Sequence, residues 1–501
     1  MTLAKTLKQN PRAIAIQITE SFTHPYINRI EIAGPGFLNF FLTPSALQEL
    51  TQELFTKKEL FFMPDTFEQK YNFNIEFISA NPTGPLHLGH GRGGIIGDVL
   101  ANILQFLGHQ VTREYYINDA GIQIQKLGAC LKIRCEQEVG LASVLPEDGY
   151  AGTYLIDLAK TCVAEYGTVV IKESELFFQA YAQEHLLAEI KKTIANYNID
   201  FDTWFSEKSL HNNGSIEKTI NYLQTHNQLY EKEGALWFKS TAYGDDKDRV
   251  LKKNSGELTY VAADAAYLNN KIDRGFNRII MILGQDHHSY AVRLQALLQA
   301  LNLSDQAKLE IILYQLVSIK EGGQQLRMSK RAGRIVTLSD VIETVGTDIA
   351  RFFYLHRKAD AQLEFDIDLA LKKTDENPVY YAQYAYVRTK SILEKAAQEA
   401  AFANLTIHDI KHVTTHEALL IKKIISLKTV LESISSNHQT HVLTYYLLEL
   451  AQTFHSYYSK NRVINQDDIE TSRARIVVIT ILRDTFETIL KLLKISLPEK
   501  M

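Results

Sequence analysis

The spacing of apolar and polar residues divides the chain into three parts. Over the first 63 residues it predicts a small α/β unit, with helices at 11–22 and from residue 45. From residue 71, apolar strands alternate with helical stretches, which is typical of β-α-β units around a parallel sheet. Farther on, apolar residues recur at three- and four-residue intervals, which predicts a bundle of amphipathic helices. The predicted domains are 1–63, 64–375 and 376–501.

The alternating part is interrupted once, by residues 140–235, which are mostly helical and polar-faced. We therefore expect a helical insertion there. The strands predicted for the whole chain are 27–32, 37–42, 72–78, 110–117, 235–238, 278–283 and 309–318. The helices predicted between strands of the alternating part are 93–107 and 121–138.

Composition and charge exclude several classes of protein. The 501 residues are 46% hydrophobic and 22% charged, as in ordinary globular proteins. The formal net charge of −4 creates no global positive field, so a nucleic acid would have to be held by a local basic face. Three cysteines are too few for a disulfide framework, and Cys130 and Cys135 are not spaced for a metal. No apolar run reaches the roughly 18 residues of a membrane span, and no signal-peptide block is present, so we expect a cytoplasmic protein.

A glycine- and proline-rich stretch, Asn-Pro-Thr-Gly-Pro-Leu-His-Leu-Gly-His-Gly-Arg-Gly-Gly, occupies residues 81–94, after the first strand of the alternating part. One interpretation is an ordinary turn that leads into a helix. A second is the fingerprint of an NAD-dependent oxidoreductase, because Gly89, Gly91 and Gly94 match G-x-G-x-x-G and Glu114 lies where a ribose-binding acid would belong. The fingerprint leaves both histidines without a role.

A site for a nucleoside triphosphate is the third interpretation, and it uses the prolines and histidines as well. Pro85 stiffens the turn, and His87 and His90 share one face of the helix start. The helix N-terminus attracts an anion, and the imidazoles can donate to oxygens that gain charge when the α-phosphorus is attacked. A metal pair fits less well, because metal ligands on a helix are more often four residues apart. The positions where a missing side chain would let a ligand approach the backbone are Gly89, Gly91, Gly93 and Gly94.

A second signature, Lys-Glu-Gly-Gly-Gln-Gln-Leu-Arg-Met-Ser-Lys-Arg-Ala-Gly-Arg, occupies residues 320–334. By itself it is a basic loop with glycine hinges, and such loops are usually just solvated. It also suits a mobile lid over a phosphate chain, because cations on a flexible loop can close in the transition state and release the product afterwards. In combination with the histidine stretch it favours the triphosphate site.

The two stretches resemble the signatures of the class I aminoacyl-tRNA synthetases. His87-Leu-Gly-His90 is similar to the H-I-G-H motif of that class, and Arg327-Met-Ser-Lys330 to its K-M-S-K motif. Arg327 departs from the motif, since it keeps the charge of the lysine but is fork-shaped. The strings that most resemble the arginyl-tRNA synthetase family are at 76–90, 117–128, 260–264, 284–288 and 377–386, and the likeness covers essentially the whole chain.

This resemblance implies a Rossmann-like catalytic domain with a helical insertion, a C-terminal helical domain that binds the anticodon, and a small N-terminal domain. That last domain usually starts some tens of residues earlier in the family, so we expect a partial one here. The implied enzyme forms arginyl-adenylate from L-arginine and ATP with Mg²⁺, and passes the arginyl group to tRNA(Arg). No magnesium ligand is legible, and we expect a monomer. A catalytically silent tRNA-binding relative is an alternative, against which both histidines and Lys330 argue.

The resemblance also implies roles for individual residues. The catalytic residues are His87, His90, Arg327 and Lys330. The ATP-binding residues are Pro85, Gly89, Gly91, Gly93, Asp286, His288, Met328 and Ser329. The arginine-binding residues are Glu76, Ser79, Asn81, Tyr260, Asp264 and Gln285.

The chemistry of the ligands agrees with these assignments. A guanidinium has five donors, and selecting it calls for carboxylates such as Glu76 and Asp264, with Tyr260 one helical turn before Asp264. Aromatics and cations alternate along the C-terminal helices, and exposed rings can stack on single-stranded bases. The residues that we expect to bind tRNA, with both rings exposed, are Tyr384, Tyr458, Arg388 and Arg462.

Overall fold

A computed structural model describes residues 2–64, 70–326 and 337–501. Its amino-terminal residues form a small helical unit with an antiparallel hairpin. Asn10 and Thr43 cap two of its helices, each of which begins with a proline, as is common at helix starts. The predicted helices and strands are confirmed here to within one residue, and one further helix, α1, precedes them. The elements are α1 (Thr2–Leu7), α2 (Pro11–Ser21), β1 (Ile27–Ala33), β2 (Phe37–Leu42) and α3 (Pro44–Lys57).

The middle of the chain alternates strands and helices, as predicted. In chain order these elements are β3 (Asn72–Glu76), α4 (Leu88–Phe106), β4 (Gln110–Ile117), α5 (Ile122–Glu138), α6 (Thr153–Tyr166), α7 (Glu175–Asn196), β5 (Thr203–Ser206), α8 (Glu207–Asn212), α9 (Ser215–Thr225), β6 (Leu229–Lys232), β7 (Ala235–Phe238), β8 (Arg249–Lys252), α10 (Tyr260–Asp273), β9 (Arg278–Gly284), α11 (His288–Ala300), β10 (Lys308–Tyr314), β11 (Val317–Glu321), β12 (Gln324–Leu326), α12 (Leu338–Val345), α13 (Thr347–Leu355), β13 (Leu363–Asp366) and α14 (Ile367–Ala370).

Five of these strands form a parallel sheet in the order β10-β9-β3-β4-β5. The strand order reverses at β3, which has β4 on one side and β9 on the other. In open α/β sheets, ligands bind outside the carboxyl ends of the strands at such a switch point. The parallel α/β fold is therefore confirmed, and it directs attention to the residues that follow β3, β4 and β9.

Several elements differ from the prediction. The first central strand ends at Glu76, two residues early, because Ile78 and Ser79 adopt φ values of +66° and +41°. The Ser79 amide donates to the Phe77 carbonyl at 2.9 Å, which closes a tight turn. Residues 140–235 include β5, an edge strand of the central sheet. Residues 235–238 belong to an antiparallel sheet with β6 and β8, and 309–318 splits into β10 and the start of β11.

The C-terminal part is a helical bundle, as predicted. One continuous hydrophobic cluster runs from the central sheet through α4 into this bundle, so α4 is covered on both sides. No helix among the described residues is long and apolar enough to cross a membrane. The bundle's helices are α15 (Pro378–Ala397), α16 (Thr415–Asn437), α17 (His441–Tyr458) and α18 (Ile469–Leu493).

A buried charge cluster joins α4 to the end of the bundle. Asp98 of α4 is fully buried and accepts from Arg351 Nη2 at 2.6 Å and from Lys494 Nζ at 3.0 Å. Arg351 also donates to the backbone carbonyls of Leu493 at 2.7 Å and Tyr197 at 2.6 Å. The ends of α7 and α18 are thereby attached to the helix that carries the histidine motif.

Candidate active site

The two histidines of the motif form the start of α4. His87 is the N-cap residue, and its Nδ1 accepts from the Gly89 amide at 3.1 Å, while His90 Nδ1 accepts from the His87 amide at 3.2 Å. The rings stack with centroids 3.7 Å apart. Because both Nδ1 atoms accept, the proton of each neutral ring is on Nε2. Each imidazole thus presents an N–H donor at a helix N-terminus, which already favours an anion.

The basic motif, Arg327, Met328, Ser329 and Lys330, lies outside the described residues. The residues that flank the gap are described. The last of them before the gap belongs to β12, and the first after it, Thr337, forms a β-bridge with His87. The next amide, of Leu338, donates to the Leu86 carbonyl at 2.8 Å. After the gap, the described chain therefore resumes directly beside the histidine motif.

The predicted ATP-binding glycines are not equivalent. A Cβ atom on Gly91 would lie 2.5 Å from a Leu338 methyl, and one on Gly93 would lie 2.7 Å from the Tyr314 ring. Both glycines are buried. Their missing side chains allow close packing within the protein, which is a different reason from the predicted ligand approach. Gly89 differs, because a Cβ there would meet only the ring of His87.

Glu76 and Glu114, at the ends of β3 and β4, share a buried lysine. Lys271 Nζ lies 3.0 Å from Glu76 Oε2 and donates to Glu114 Oε1 at 2.7 Å. Arg274 donates two hydrogen bonds to Glu114, from Nη1 to Oε2 at 2.5 Å and from Nη2 to Oε1 at 3.0 Å. Burial opposes ionisation of Glu114, but Lys271 and Arg274 outweigh it and lower its pKa to about 2. Both carboxylate oxygens of Glu114 already accept hydrogen bonds from Lys271 and Arg274, so Glu114 cannot bind a ribose hydroxyl. The dinucleotide interpretation is therefore wrong.

Asp264, on α10, is the second predicted carboxylate of the arginine pocket. Its side chain is 12% exposed, Tyr290 Oη donates to its Oδ1 at 2.8 Å, and Arg293 Nη2 lies 3.9 Å from its Oδ2. Burial raises the pKa of Asp264 to about 7, against the hydrogen bond from Tyr290 and the charge of Arg293. Tyr260 is the first residue of the same helix and is 64% exposed. The centroid of the Tyr260 ring lies 4.8 Å from Arg293 Cζ. The two predicted residues, Tyr260 and Asp264, therefore both lie against the guanidinium of Arg293.

Sequence reasoning missed a third carboxylate, Glu207, which is the first residue of α8 and directly follows β5. Its side chain is 14% exposed, and its charge helps to raise the pKa of Asp264. Burial raises the pKa of Glu207 itself, and a hydrogen bond from Tyr116 only partly offsets this. The available signal was an acid at the carboxyl end of a short aromatic strand, as at Glu76, but the strand lay inside the predicted insertion.

The loop after β3 is held in place by its neighbours. Ser79 Oγ accepts from the Tyr116 amide at 3.1 Å and donates to Glu76 Oε1 at 3.2 Å. Asn81 Nδ2 donates to Gln123 Oε1 of α5 at 2.7 Å. Ser79 thus contacts Glu76 and Asn81 contacts α5, in a segment with strained backbone at residues 78–79.

The other predicted residues of the site follow β9 or precede α4. Gln285 and Asp286 form a short 3-10 turn directly after β9, and His288 begins α11. Gln285 and Pro85 are half-buried, whereas Asp286 and His288 are exposed. All of them lie at the carboxyl edge of the sheet, where the parallel strands end.

The buried charges of the site include more carboxylates than cations. Among the described residues five carboxylates affect one another here through contacts or through their charges, and three cationic side chains and one histidine accompany them. An excess of buried carboxylates favours a cationic ligand. The carboxylates are Glu76, Glu114, Asp119, Glu207 and Asp264, the cations are Lys271, Arg274 and Arg293, and the histidine is His211.

The predicted tRNA-binding residues come together in the bundle. Arg388 of α15 lies between two rings, with its Cζ 4.8 Å from the Tyr384 centroid and 4.9 Å from that of Tyr458. These residues and Arg462 line a cavity of about 630 Å³, together with Lys395. Both rings are half-buried, so the prediction of exposed rings is wrong. The reason is that each ring turns one face to Arg388.

Comparison with known proteins agrees with this fold. Residues 1–42 match the family model described as the arginyl tRNA synthetase N terminal domain, residues 49–352 the class I (R) tRNA synthetase catalytic domain, and residues 382–501 the DALR anticodon binding domain. The catalytic-domain match covers more than half of the chain, and it defines a class I tRNA synthetase.

Individual relatives show which family within this class the chain belongs to. Arginine–tRNA ligase 2 of Bacillus thuringiensis subsp. konkukian is 41% identical over 508 residues, which cover 100% of this chain and 91% of that protein. The arginine–tRNA ligase of Bacillus subtilis is 39% identical with the same coverage. This chain belongs to the arginyl-tRNA synthetase family.

Solved structures agree with this assignment. A putative arginyl-tRNA synthetase from Campylobacter jejuni superposes with a TM-score of 0.83 at 32% identity, covering 92% of this chain and 100% of that one. The Thermus thermophilus arginyl-tRNA synthetase superposes with a TM-score of 0.79 at 22% identity, covering 100% of this chain and 93% of that one. The second likeness, at its lower identity, speaks for the fold alone.

Proposed function

We propose that this protein ligates L-arginine to tRNA(Arg) through an arginyl-adenylate. The observation that carries the proposal is a cluster of little-exposed side chains in which carboxylates outnumber cations, together with a helix start that carries two imidazole donors, in a chain of the arginyl-tRNA synthetase family. The pocket suits a cationic side chain, and the helix start suits a triphosphate. Both substrates of amino-acid activation therefore have a matching surface at one edge of the sheet.

In the first step, a carboxylate oxygen of arginine attacks the α-phosphorus of ATP. The bond between the α-phosphorus and its bridging oxygen breaks, and pyrophosphate leaves. His87 and His90 donate from Nε2 to the phosphate oxygens as their charge grows. Lys330 and Arg327 neutralise the departing pyrophosphate, with Met328 and Ser329 beside it. Pro85, Gly89, Asp286 and His288 contact ATP, while Gly91 and Gly93 support α4 from inside.

Arginine would be recognised at both of its ends. Asp264, Glu76 and Glu207 surround the guanidinium, and forked donors paired with carboxylates favour it over the ammonium of lysine. Tyr260 and Gln285 complete the wall of the pocket, and Ser79 and Asn81 hold the α-amino and carboxylate groups. The place of Asn81 in the loop that joins β3 to α4, where Gln123 holds its amide, supports this, because the reacting carboxylate must reach the α-phosphate.

In the second step, a hydroxyl of the terminal ribose of tRNA attacks the carbonyl carbon of the adenylate, and AMP leaves. We assign residues 376–501 to anticodon recognition, residues 64–375 to catalysis and residues 1–63 to an N-terminal domain. Tyr384, Tyr458, Arg388 and Arg462 line the groove that would receive bases and phosphates. Because Arg388 already lies between the two rings, a base would stack on an outer ring face or displace the guanidinium.

Magnesium would enter with ATP. The described part of the chain contains no group of three or more His, Cys, Asp or Glu side chains that could hold a metal ion. Magnesium that is carried by the phosphates of a nucleotide needs only one or two protein carboxylates. The protein is further proposed to act as a monomer in the cytoplasm.

Pyrophosphate exchange with each of the twenty amino acids, with and without tRNA, tests the proposal. We expect exchange with arginine only, and we expect it to require tRNA, as the family resemblance implies. Exchange with another amino acid would reassign the pocket. An absence of exchange under every condition, together with retained tRNA binding, would support a catalytically silent relative.

A further inference from the structure

Arg293 places a guanidinium next to the pocket that is proposed to bind one. This residue lies on α11, and its side chain is 7% exposed. Its Cζ lies 4.8 Å from the Tyr260 ring centroid and 4.7 Å from that of Tyr290, so two aromatic rings hold it in place. Its Nη2 points toward Asp264 Oδ2 at 3.9 Å. Cations over aromatic faces are attracted most strongly where water is excluded.

The 3.9 Å separation distinguishes this contact from an ordinary salt bridge. Charged N–H donors normally approach a carboxylate to about 2.7–2.9 Å. Among the described residues, neither Arg293 Nε nor Asp264 Oδ2 has a hydrogen-bond partner, although both atoms are buried. Asp264 Oδ1, by contrast, is occupied by the Tyr290 hydroxyl. Arg293 is thus close enough to stabilise the charge of Asp264, yet it leaves Oδ2 open as an acceptor.

We propose that Arg293 is a positioning residue, held off Asp264 by Tyr260 and Tyr290, that keeps this carboxylate ionised and ready for the guanidinium of arginine. The inference rests on the proposed function, in that it takes arginine as the ligand of Asp264. Arg293 itself remains outside the ligand's hydrogen bonds. The positive charge of Arg293 would stabilise the ionised form of Asp264 most when no arginine is bound, because no ligand then neutralises the carboxylates.

The other groups that face Asp264 act mainly in the opposite direction. Repulsion from the carboxylates of Glu76, at the end of β3, and Glu207, at the start of α8, raises the pKa of Asp264, as burial does. Asp264 in turn helps to raise the pKa of Tyr116 on β4, and Tyr290 donates a hydrogen bond to Asp264. Arg293 supplies the opposing positive charge. Without that charge the pKa of Asp264 would rise above about 7, so more of the carboxyl would be protonated at neutral pH and it would bind arginine poorly.

Arginine affinity measured calorimetrically between about pH 6 and 9 tests this role, with three variants. For Arg293→Gln we expect roughly tenfold weaker binding at neutral pH that recovers at the alkaline end, because the midpoint of the pH profile moves up by about one unit. Arg293→Lys keeps the charge and should keep a profile near that of the unmodified protein. Arg278→Gln is the matched control, since Arg278 stacks on Tyr71 at 4.0 Å at the opposite end of the sheet.

Two results would overturn the inference. An unshifted profile in Arg293→Gln would mean that the charge does not act on Asp264. A loss of affinity that is equal at every pH, or that Arg293→Lys does not rescue, would mean that Arg293 binds arginine directly or only supports the fold. The infrared carboxyl band that disappears in Asp264→Asn gives the same titration without arginine. If the unmodified protein binds no arginine, the proposed function fails, while this band still decides whether Arg293 controls Asp264.

Discussion

At the scale of single residues, the pocket contains buried carboxylates of opposite acid strength. Glu114 has two cations within hydrogen-bond distance, and its pKa falls to about 2. The side chain of Asp264 is only 12% exposed, but its nearest cation among the described residues is 3.9 Å away, and its pKa rises to about 7. The distance to their cations thus distinguishes the structural carboxylate of Glu114 from the proposed ligand-binding carboxylate of Asp264.

Asp264→Asn tests the ligand-binding carboxylate. We expect the KM for arginine to rise about 10- to 100-fold with little change in the KM for ATP, since a charge-assisted hydrogen bond is lost. The pKa of Asp264 is raised, so the carboxyl takes up a proton as pH falls through about 7, and the arginine KM of the unmodified enzyme should rise there. The variant should lack this dependence. Asp273→Asn, on the exposed face of the same helix, is the control, and an equal loss of ATP binding in Asp264→Asn would indicate misfolding instead.

His90 has two functions that different substitutions separate. Its Nδ1 accepts from the His87 amide, and its Nε2 is the proposed donor to the triphosphate. His90→Asn places an acceptor near the Nδ1 position but removes the Nε2 donor, so kcat should fall about 10²–10³-fold with little change in the KM for ATP. His90→Gln can keep a donor near Nε2 and should be faster than His90→Asn. Equal rates for both variants in pyrophosphate exchange would contradict the donor role.

At the scale of elements, α4 is the central part of the molecule. It begins at Leu88, five residues before the start of the predicted helix 93–107, because His87 and His90 cap it. Its glycines are tolerated inside a helix because tertiary contacts require them, which outweighs their low helix propensity. Tight packing against the sheet keeps the histidine end of α4 in register with the loop after β3.

Gly97→Ala tests this packing. A Cβ at this position would overlap the ring of Phe77, so we expect a loss of about 1–3 kcal/mol in the free energy of unfolding. Gly89→Ala is the matched control on the same helix, where the added methyl meets only the His87 ring at 3.1 Å. Denaturant titration of both variants measures the difference. A Gly97→Ala protein as stable as the parent would show that α4 can shift away from the sheet.

At the scale of the whole molecule, the central sheet, α4 and the C-terminal bundle pack against one another in the described part of the chain. The hydrophobic cluster runs from the sheet into the bundle, and the Asp98 cluster attaches the end of α18 to α4. The proposed tRNA-binding cavity on α15 and α17 and the proposed active site at the start of α4 therefore belong to one packed body. A domain joined only by a linker would have no such contacts.

Asp98→Asn should destabilise this junction. The substitution leaves the buried guanidinium of Arg351 without its counter-charge, so we expect a loss of about 3–5 kcal/mol and a lower Tm. Lys491→Ala breaks an exposed pair with Glu487 on the same helical end, and it should change the stability by less than about 1 kcal/mol. Scanning calorimetry compares the two. If both variants melt together, the buried cluster is not what attaches the bundle.

Tyr458→Ala tests the groove. If the ring stacks on a base, tRNA binding should weaken by about 1–3 kcal/mol, and arginine-dependent exchange should slow at limiting tRNA and recover at saturating tRNA. Tyr457→Ala is the matched control, because the neighbouring ring is buried and its hydroxyl donates to Glu417 at 2.7 Å. The control should lower Tm without rescue by tRNA. The same outcome for Tyr458 would assign that ring to the core.

The sequence alone was sufficient for the features that depend on local order along the chain. Periodicity located most helices and strands, because the burial of one face repeats at the period of the element. Residues of one short motif, such as His87 and His90, could be recognised as site candidates because their proposed function depends on their spacing within one helix start. The same holds for the family resemblance, which rests on contiguous strings.

Only the tertiary structure decided which distant residues share one environment. Glu207 and Arg293 join Asp264 from α8 and α11, and no spacing along the chain announces this. The structure also assigned Glu114 to an internal ion cluster and Gly91 to packing, although both matched a nucleotide fingerprint. The physical reason is that charge, burial and steric contact depend on distance in space, and folding sets those distances through packing between elements that are far apart in sequence.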